Sequence, residues 1–323
     1  MVNVTDEGQP TLMLVDGHSL AFRALLRPSR SIVSSPPKVN TPTRFTAFCR
    51  CCSVCSRTKT PAIWPLRLMS HGSRFVPGFT PNTRAPEERH HPEFIGQVPL
   101  LQDALHAMGV ITLTKEDYEA DDIIATLARK GTEAGLHVLV VSGDRDTFQL
   151  VNDNVTVLYP SARGVSELKR YTPQAVEERY GVPPARYPDV AALVGETSDN
   201  LVGIEKVGEK TAVKWITQYG SLDGVLEHAE EIGGVVGQNL RDQKDRAIRN
   251  RELNALVTTV DLPVTAHDLH RGHIDRAAVT EVFGKLRFRT LTERVLALAG
   301  DDGPVVTSSS SVEVPQPRAL VDE

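Results

Sequence analysis

Acidic side chains fall in three short runs, Glu119-Ala120-Asp121-Asp122, Asp144-Arg145-Asp146 and Glu196-Thr197-Ser198-Asp199. A further carboxylate, Asp16, ends the apolar run Leu12-Met13-Leu14-Val15. Carboxylates gathered just beyond apolar strands repel one another unless a cation sits among them. Hard cations such as Mg2+ or Mn2+ take oxygen ligands and keep several waters. Such a set suits metal-assisted cleavage of a phosphodiester. No paired His/Cys set accompanies the acids, which argues against a zinc enzyme.

Each run also has a plainer explanation. Acids at a helix start are favoured by the helix dipole and its unpaired N–H groups. Three carboxylates within four positions exceed what capping needs, and Glu119 and Asp122 are spaced to share a face. Asp144 and Asp146 follow an apolar strand and Gly143, a turn signal in its own right; both can still aim at one point on the sheet edge.

A second feature follows the last acidic run. Val207-Gly208-Glu209-Lys210-Thr211-Ala212 reads as a glycine hairpin entering a helix. First-turn N–H groups, with Lys206 or Lys210, could hold a phosphate oxygen. Contact of that kind reads no bases and weakens with salt. The glycine spacing required of a P-loop is absent. Arg241, Lys244, Arg246, Arg249 and Arg251 read as a solvated helix face that could also track DNA, Trp215 as core, and His18 as a packing or capping residue.

The elements that must carry these residues alternate. Residues 12–15, 111–113, 138–141 and 155–159 read as strands; 94–108 and 120–128 read as helices. Alternation of this kind implies a parallel sheet covered on both faces, with ligands beyond the strands' carboxyl ends. Asp16 and Asp144 fall at that edge. From about residue 172 the pattern turns helical, over 173–180, 187–194, 210–219, 222–230, 238–250 and 277–286. The expected organisation is an α/β domain over 1–171, a helical region over 172–298 and a disordered tail over 299–323.

The 323 residues carry a net charge of −5, so no global basic field attracts nucleic acid and any contact must be local. No apolar run is long enough to span a membrane, and residues 1–10 lack a signal-peptide core. These features predict a cytoplasmic protein. All four cysteines lie between Cys49 and Cys55. Alone they suggest a zinc or iron–sulfur site, but no second pair accompanies them.

Taken together, Leu14-Val15-Asp16-Gly17, Tyr118 through Asp122, Ser142-Gly143-Asp144-Arg145-Asp146, Gly195 through Asn200 and Gly203 through Ala212 resemble the 5′-to-3′ exonucleases related to the N-terminal domain of bacterial DNA polymerase I, within the flap endonuclease superfamily. The resemblance covers residues 11–27 and about 85–298, and with no polymerase domain following, the chain resembles the stand-alone form. It implies a PIN-like α/β nuclease domain with a helix-three-turn-helix element. Asp16, Glu119, Asp121, Asp122, Asp144, Asp146 and Asp199 would hold two Mg2+ or Mn2+ ions, with Asp16, Asp122 and Asp144 at the chemistry. Glu196 takes a position often held by Asp. Gly203, Lys206, Val207, Gly208, Glu209, Lys210 and Thr211 would grip duplex DNA with a 5′ end, nick or flap, beside a K+ ion. The resemblance also implies a monomer, 5′-phosphorylated products, and work in bacterial replication and repair near the nucleoid.

Between about residues 28 and 84 the sequence departs from the family. A strand ending in Phe-Asp and a basic stretch ending in Tyr-Lys are missing, and with them a metal-binding Asp, a Tyr and a Lys. Read one base out of register, the codons permitted for residues 40–84 can spell both. The departure is therefore read as a pair of compensating frameshifts. It leaves a catalytically impaired DNA-binding protein as the alternative to an active nuclease, ahead of a zinc protein organised by Cys49 to Cys55.

Overall fold

The structure, a computed structural model, describes residues 10–17, 19–20, 98–161, 164–269 and 272–299. His18, Cys49 to Cys55, the departing segment 28–84 and nearly all of the tail lie outside these residues.

Strand β1 (Thr11–Val15) is buried throughout. Helices α1 (Val98–Ala107) and α2 (Ala120–Glu133) precede β2 (His137–Val141), β3 (Val155–Ser161) and β4 (Gly164–Tyr171). Their sheet runs β1-β2-β3-β4. β1 pairs with β2 and β2 with β3 in parallel, with Leu12 opposite Val138 and Val138 opposite Val155. β4 runs antiparallel to β3.

Alternate strand residues feed two cores. On one face Met13, Val15, Leu139 and Val141 meet Leu101 and Leu105 of α1 and Met108 just after it. The same face is completed by α9 (Arg276–Lys285) and α10 (Arg289–Leu298), which bring Val279, Phe283, Leu291 and Val295. On the other face Leu12, Leu14, Val138 and Val140 meet Ile123, Ile124 and Leu127 of α2, with Phe148. The last two helices thus return to the sheet, a packing that a simple division at residue 171 does not express.

A third core belongs to the helical part. It is built from α3 (Pro173–Tyr180), α4 (Tyr187–Val194), α5 (Glu209–Tyr219), α6 (Leu222–Glu227), α7 (Gly234–Asp242) and α8 (Lys244–Leu253). Trp215 lies inside it. Buried Asp189 on α4 accepts from Arg251 Nε of α8 at 2.6 Å and from Leu222 N of α6 at 3.4 Å. One carboxylate thereby ties three helices.

Several expectations need correction. The sheet is mixed, because β4 is an antiparallel edge strand whose Lys169 and Arg170 hide it from an apolar pattern. Residues 111–113 hold only a β-bridge residue at Thr112 and form no strand among the described residues. The helix expected over 238–250 is two, broken at Gln243, whose Oε1 accepts from Glu205 N and Arg246 Nη1. Helix α10 was missed, although Leu291, Val295 and Leu298 carry helical spacing. Among the described residues no helix is long and apolar enough to cross a membrane.

Two local devices can be tested by unfolding. Asp122 accepts from Glu119 N at 3.3 Å through Oδ2 and from Val257 N at 2.8 Å through Oδ1. Asp122→Ala strands both donors and is expected to cost about 2–4 kcal/mol in urea unfolding; a loss under about 0.5 kcal/mol would show that these bonds do not matter. In the hairpin, a Cβ at Gly203 would collide with the Val194 carbonyl, whereas one at Gly208 meets nothing within 4 Å. Gly203→Ala is expected to lower the melting temperature by several degrees and Gly208→Ala to change it little, as read by calorimetry.

Candidate functional site

Asp16 follows the last residue of β1, and its own N–H donates to Val141 O of β2 at 2.9 Å. Its Oδ1 caps the next turn by accepting from Ser19 N at 3.0 Å. Its Oδ2 accepts from Ser142 Oγ at 2.8 Å, and the same hydroxyl accepts from Asp144 N at 3.0 Å. Ser142, fully buried just past β2, therefore locks Asp16 and Asp144 to one edge. Ser19 Oγ adds a second tie by accepting from Gly143 N at 3.1 Å. This is the carboxyl edge expected of a parallel pair, where strands end and side chains converge.

The next turn brings Asp146 inward. Asp144 Oδ1 accepts from Asp146 N at 2.9 Å, starting the 3-10 helix Asp146–Leu150. Gln149 then bonds Asn254 O and accepts from Leu256 N, pinning this turn to the end of α8.

The last acidic run arrives from the helical part. After α4 the chain makes β5 (Gly195–Glu196), a 3-10 turn (Thr197–Asp199) and β6 (Leu201–Val202), with Asn200 left-handed between them. Gly195 and Gly203 pack backbone to backbone. Asn250 of α8 donates to both Ala192 O and Val202 O at 3.0 Å, which fixes the small hairpin carrying Glu196 and Asp199.

Among the described residues, one acidic group has metal-binding geometry. Carboxylate oxygens of Asp146, Glu196 and Asp199 lie within 4.8 Å of one another. Asp146 Oδ1 and Glu196 Oε2 are buried and have no hydrogen-bond partner. Buried carboxylate oxygens with no donor suit a hard cation. Burial first, then Asp144, Glu196, Asp121 and Asp199, push the Asp146 carboxyl well above its usual range. Burial, then Asp199 and Asp144, push Glu196 up to about 7, against a lowering by Arg145.

The sequence-assigned residues divide accordingly. Asp121, Asp144, Asp146 and Asp199 share one electrostatic field, and Asp16 joins through Ser142. Glu196, left out of the expected ligand set, stands in the metal group. Asp122 accepts from Glu119 N and Val257 N, and Glu119 stands at the N-cap of α2, so both also anchor the helix that carries Asp121. The tie of Ser142 to Asp16 and the clamp by Asn250 were not read from the sequence, where Ser142 stands only as part of the motif Ser142 through Asp146.

The glycine hairpin adjoins this group, since β6 runs directly into it. Ile204 N donates to Leu193 O and Val207 N to Ile204 O, while Lys206 sits left-handed at φ 63. Val207 is buried. Lys206, Gly208, Glu209 and Lys210 are exposed, and Thr211 is half-buried in the first turn of α5. Of the five basic residues noted on the helices, Arg241, Arg246 and Arg251 bond Ala229 O, Gly203 O and Asp189 respectively, so they hold structure instead of forming a free face.

Comparison with known proteins agrees with this arrangement. The family description "5'-3' exonuclease, N-terminal resolvase-like domain" matches residues 11–181. Its companion, "5'-3' exonuclease, C-terminal SAM fold", matches 182–277. DNA polymerase I of Mycobacterium leprae is 42% identical over 314 residues, covering 95% of this chain and 34% of that protein. DNA polymerase I of Bacillus subtilis is 31% identical over 312 residues, covering 96% of this chain and 34% of that protein. The chain thus spans about a third of the length of these relatives. Phage T5 5′-exonuclease with bound zinc has a similar structure, with TM-score 0.60, 20% identity, and coverage of 90% of this chain and 99% of that one. Human GEN1 with Holliday junction DNA gives TM-score 0.61, 14% identity, and coverage of 90% and 72%. These two likenesses show the fold. The acidic edge, the glycine hairpin behind it and two consecutive family matches over 11–277 lead to one conclusion: the chain belongs to the 5′-3′ exonuclease family.

Proposed function

We propose that this protein is a metal-dependent 5′-3′ exonuclease that acts on double-stranded or flap-bearing DNA and releases 5′-phosphorylated products. The observation that carries this reading is the pair of buried, unpartnered oxygens, Asp146 Oδ1 and Glu196 Oε2, in one group with Asp199. Asp146, Glu196 and Asp199 would hold one Mg2+ or Mn2+ ion, and Asp16 and Asp144, with Asp121 nearby, would serve a second. Bound there, divalent ions supply an activated water and offset the charge that builds on the scissile phosphate. The protein's own work is orientation. Ser142 fixes Asp16 against Asp144, and Asp122 fixes the helix that presents Asp121. The loop of Gly203, Lys206, Val207, Gly208, Glu209, Lys210 and Thr211 would grip the duplex backbone near a K+ ion, independent of sequence. We place the activity in a monomer working at nicks and flaps on nucleoid DNA in the bacterial cytoplasm.

A nuclease assay on a 5′-labelled flap duplex tests the reading. Mg2+-dependent release of short 5′-phosphorylated products is expected. Asp144→Ala and Asp146→Ala are expected to slow it at least about 10³-fold while flap affinity stays within about threefold. The departure of residues 28–84 from the family favours a second reading, a catalytically impaired flap-binding protein. Tight flap binding by the wild type without Mg2+-dependent cleavage would select it; absence of both cleavage and binding would sink both readings. Sequencing the coding DNA over residues 28–84 tests the frameshift: one uninterrupted frame matching this chain removes it.

The raised carboxyls add a pH signature. A carboxyl whose folded pKa exceeds its unfolded value binds more protons when folded, so its contribution to stability falls as pH rises. For Glu196 that window runs from the ordinary 4.5 to about 7. In EDTA the melting temperature is expected to drop by about 4–8 °C between pH 5 and pH 8. Millimolar Mg2+ should cancel most of that drop and act least at the acid end. A metal effect equal at both ends would place the ion elsewhere.

A further inference from the structure

The metal group joins two parts of the fold. Asp146 opens the turn after β2, whereas Glu196 and Asp199 sit on the hairpin that follows α4. The end of α8 reaches both. Asn250 Nδ2 donates to Ala192 O and Val202 O at 3.0 Å, on either side of the hairpin. One turn later, Asn254 O accepts from Gln149 Nε2 at 2.9 Å. The same Nε2 donates to Asp146 O at 2.9 Å, and Gln149 Oε1 accepts from Leu256 N at 3.2 Å. Two carbonyls facing the NH2 group and one N–H facing the oxygen allow a single orientation of this half-buried amide. Asp146 is thereby held at both ends of its backbone, its N–H on Asp144 Oδ1 at 2.9 Å and its carbonyl on Gln149. Three buried side-chain polar atoms among the described residues lack a hydrogen-bond partner, namely Asp146 Oδ1, Glu196 Oε2 and Asn254 Nδ2. Two of these belong to the residues whose carbonyls Gln149 joins. Unpaired buried atoms are rare and call for an explanation, of which a bound ion is one.

We propose that Gln149 is a positioning residue for metal binding: its amide sets Asp146 in register with Glu196 and Asp199 by fastening the turn to the end of α8. The proposal rests on the metal-dependent reading above and gives a duty to a residue which that reading leaves outside the ligand set. Ligands brought to one cation from separate elements must be held to about half an ångström. Neighbours that orient such ligands change metal affinity by about 10–100-fold. Gln149 reaches Asp146 through the main chain and bonds no carboxylate among the described residues. Its loss therefore moves a ligand without removing a charge. Asn250 lies on the same helix end, so one element aligns both halves of the group.

Mn2+ binding without DNA, read by titration calorimetry, separates this duty from general support of the fold. Gln149→Leu keeps the volume and removes all three bonds. Its Mn2+ affinity is expected to fall at least about tenfold, with flap affinity in EDTA within about twofold of the wild type. Under limiting Mg2+ its kcat should drop about tenfold at unchanged KM, and added Mg2+ should restore much of it. Gln149→Asn keeps the amide but is too short to span both carbonyls; it should lose Mn2+ affinity likewise, and it decides the matter if Gln149→Leu does not fold. Thr126→Val is the control. Thr126 Oγ1 donates to Val257 O and accepts from Val260 N, so it stitches the same chain segment to α2 away from Asp146. That variant should melt lower and bind Mn2+ as the wild type does. Unchanged Mn2+ affinity in the Gln149 variants, with only the melting temperature lowered, overturns the proposal and makes Gln149 structural. Equal losses of Mn2+ affinity in Thr126→Val and Gln149→Leu overturn it too, since loosening of the segment would then be the cause. A wild-type protein that binds no Mn2+ overturns the metal-dependent reading and this proposal together, whereas wild-type binding with unaltered Gln149 variants overturns this proposal alone.

Discussion

Buried like charges are the constraint around which the molecule is organised. Asp144, Glu196, Asp121 and Asp199 all act on Asp146, Asp199 and Asp144 act on Glu196, and burial is the largest influence on both Asp146 and Glu196. Such a group opposes folding when its members are ionised. It persists because each carboxylate sits on backbone anchored elsewhere. Asp16 and Asp144 hang on the Ser142 hydroxyl, Asp121 rides on a helix capped through Asp122, and Glu196 and Asp199 sit on a two-strand hairpin clamped by Asn250. The hydrophobic cores on both sheet faces hold those anchors, and the repulsion is left for a cation to relieve.

The same anchoring joins the acidic group to the glycine loop. Glu196 and Asp199 precede the glycine loop by only a few residues, and β6 connects them without slack. Arg246 donates to Gly203 O, and Gln243 accepts from Glu205 N, so α8 braces the loop from behind. The break between α7 and α8 follows from this duty: Gln243 leaves helical geometry, at φ −120 and ψ 16, where it serves the loop. A shift of the loop would therefore be felt at the metal group, because Asn250 bridges the residues on either side of it.

How much of this was legible depended on how local the signal was. Asp16 and Asp144 were placed correctly because an apolar strand followed by Asp is a local pattern, and α3 and α4 were read to the residue because a Pro-led first turn and a C-cap glycine bound both. The bond from Val257 N to Asp122 was not legible, since the two lie 135 residues apart. β4 was invisible because its pairing with β3 is tertiary and its own composition is charged. Glu196 showed itself as an acid, but only the fold brings Asp146 from the sheet edge to meet it.

β1 carries the argument about residues 28–84. Among the described residues it has one strand neighbour, β2, yet none of its residues exceeds 5% exposure. A mostly apolar strand buried on both faces belongs in a sheet interior, and a bare edge would invite pairing with another chain. The family resemblance puts a further strand, ending in Phe-Asp, in the stretch where this sequence departs. The match to Mycobacterium leprae DNA polymerase I still covers 95% of the chain, and the N-terminal family match runs through the stretch from residue 11 to 181. Every ligand of the described metal group and every residue of the glycine loop lies outside that stretch. On the proposed reading, loss confined to it would remove one Asp, one Tyr and one Lys that the family resemblance implies and would spare the loop proposed to grip the duplex, so binding and cleavage are the two quantities that separate.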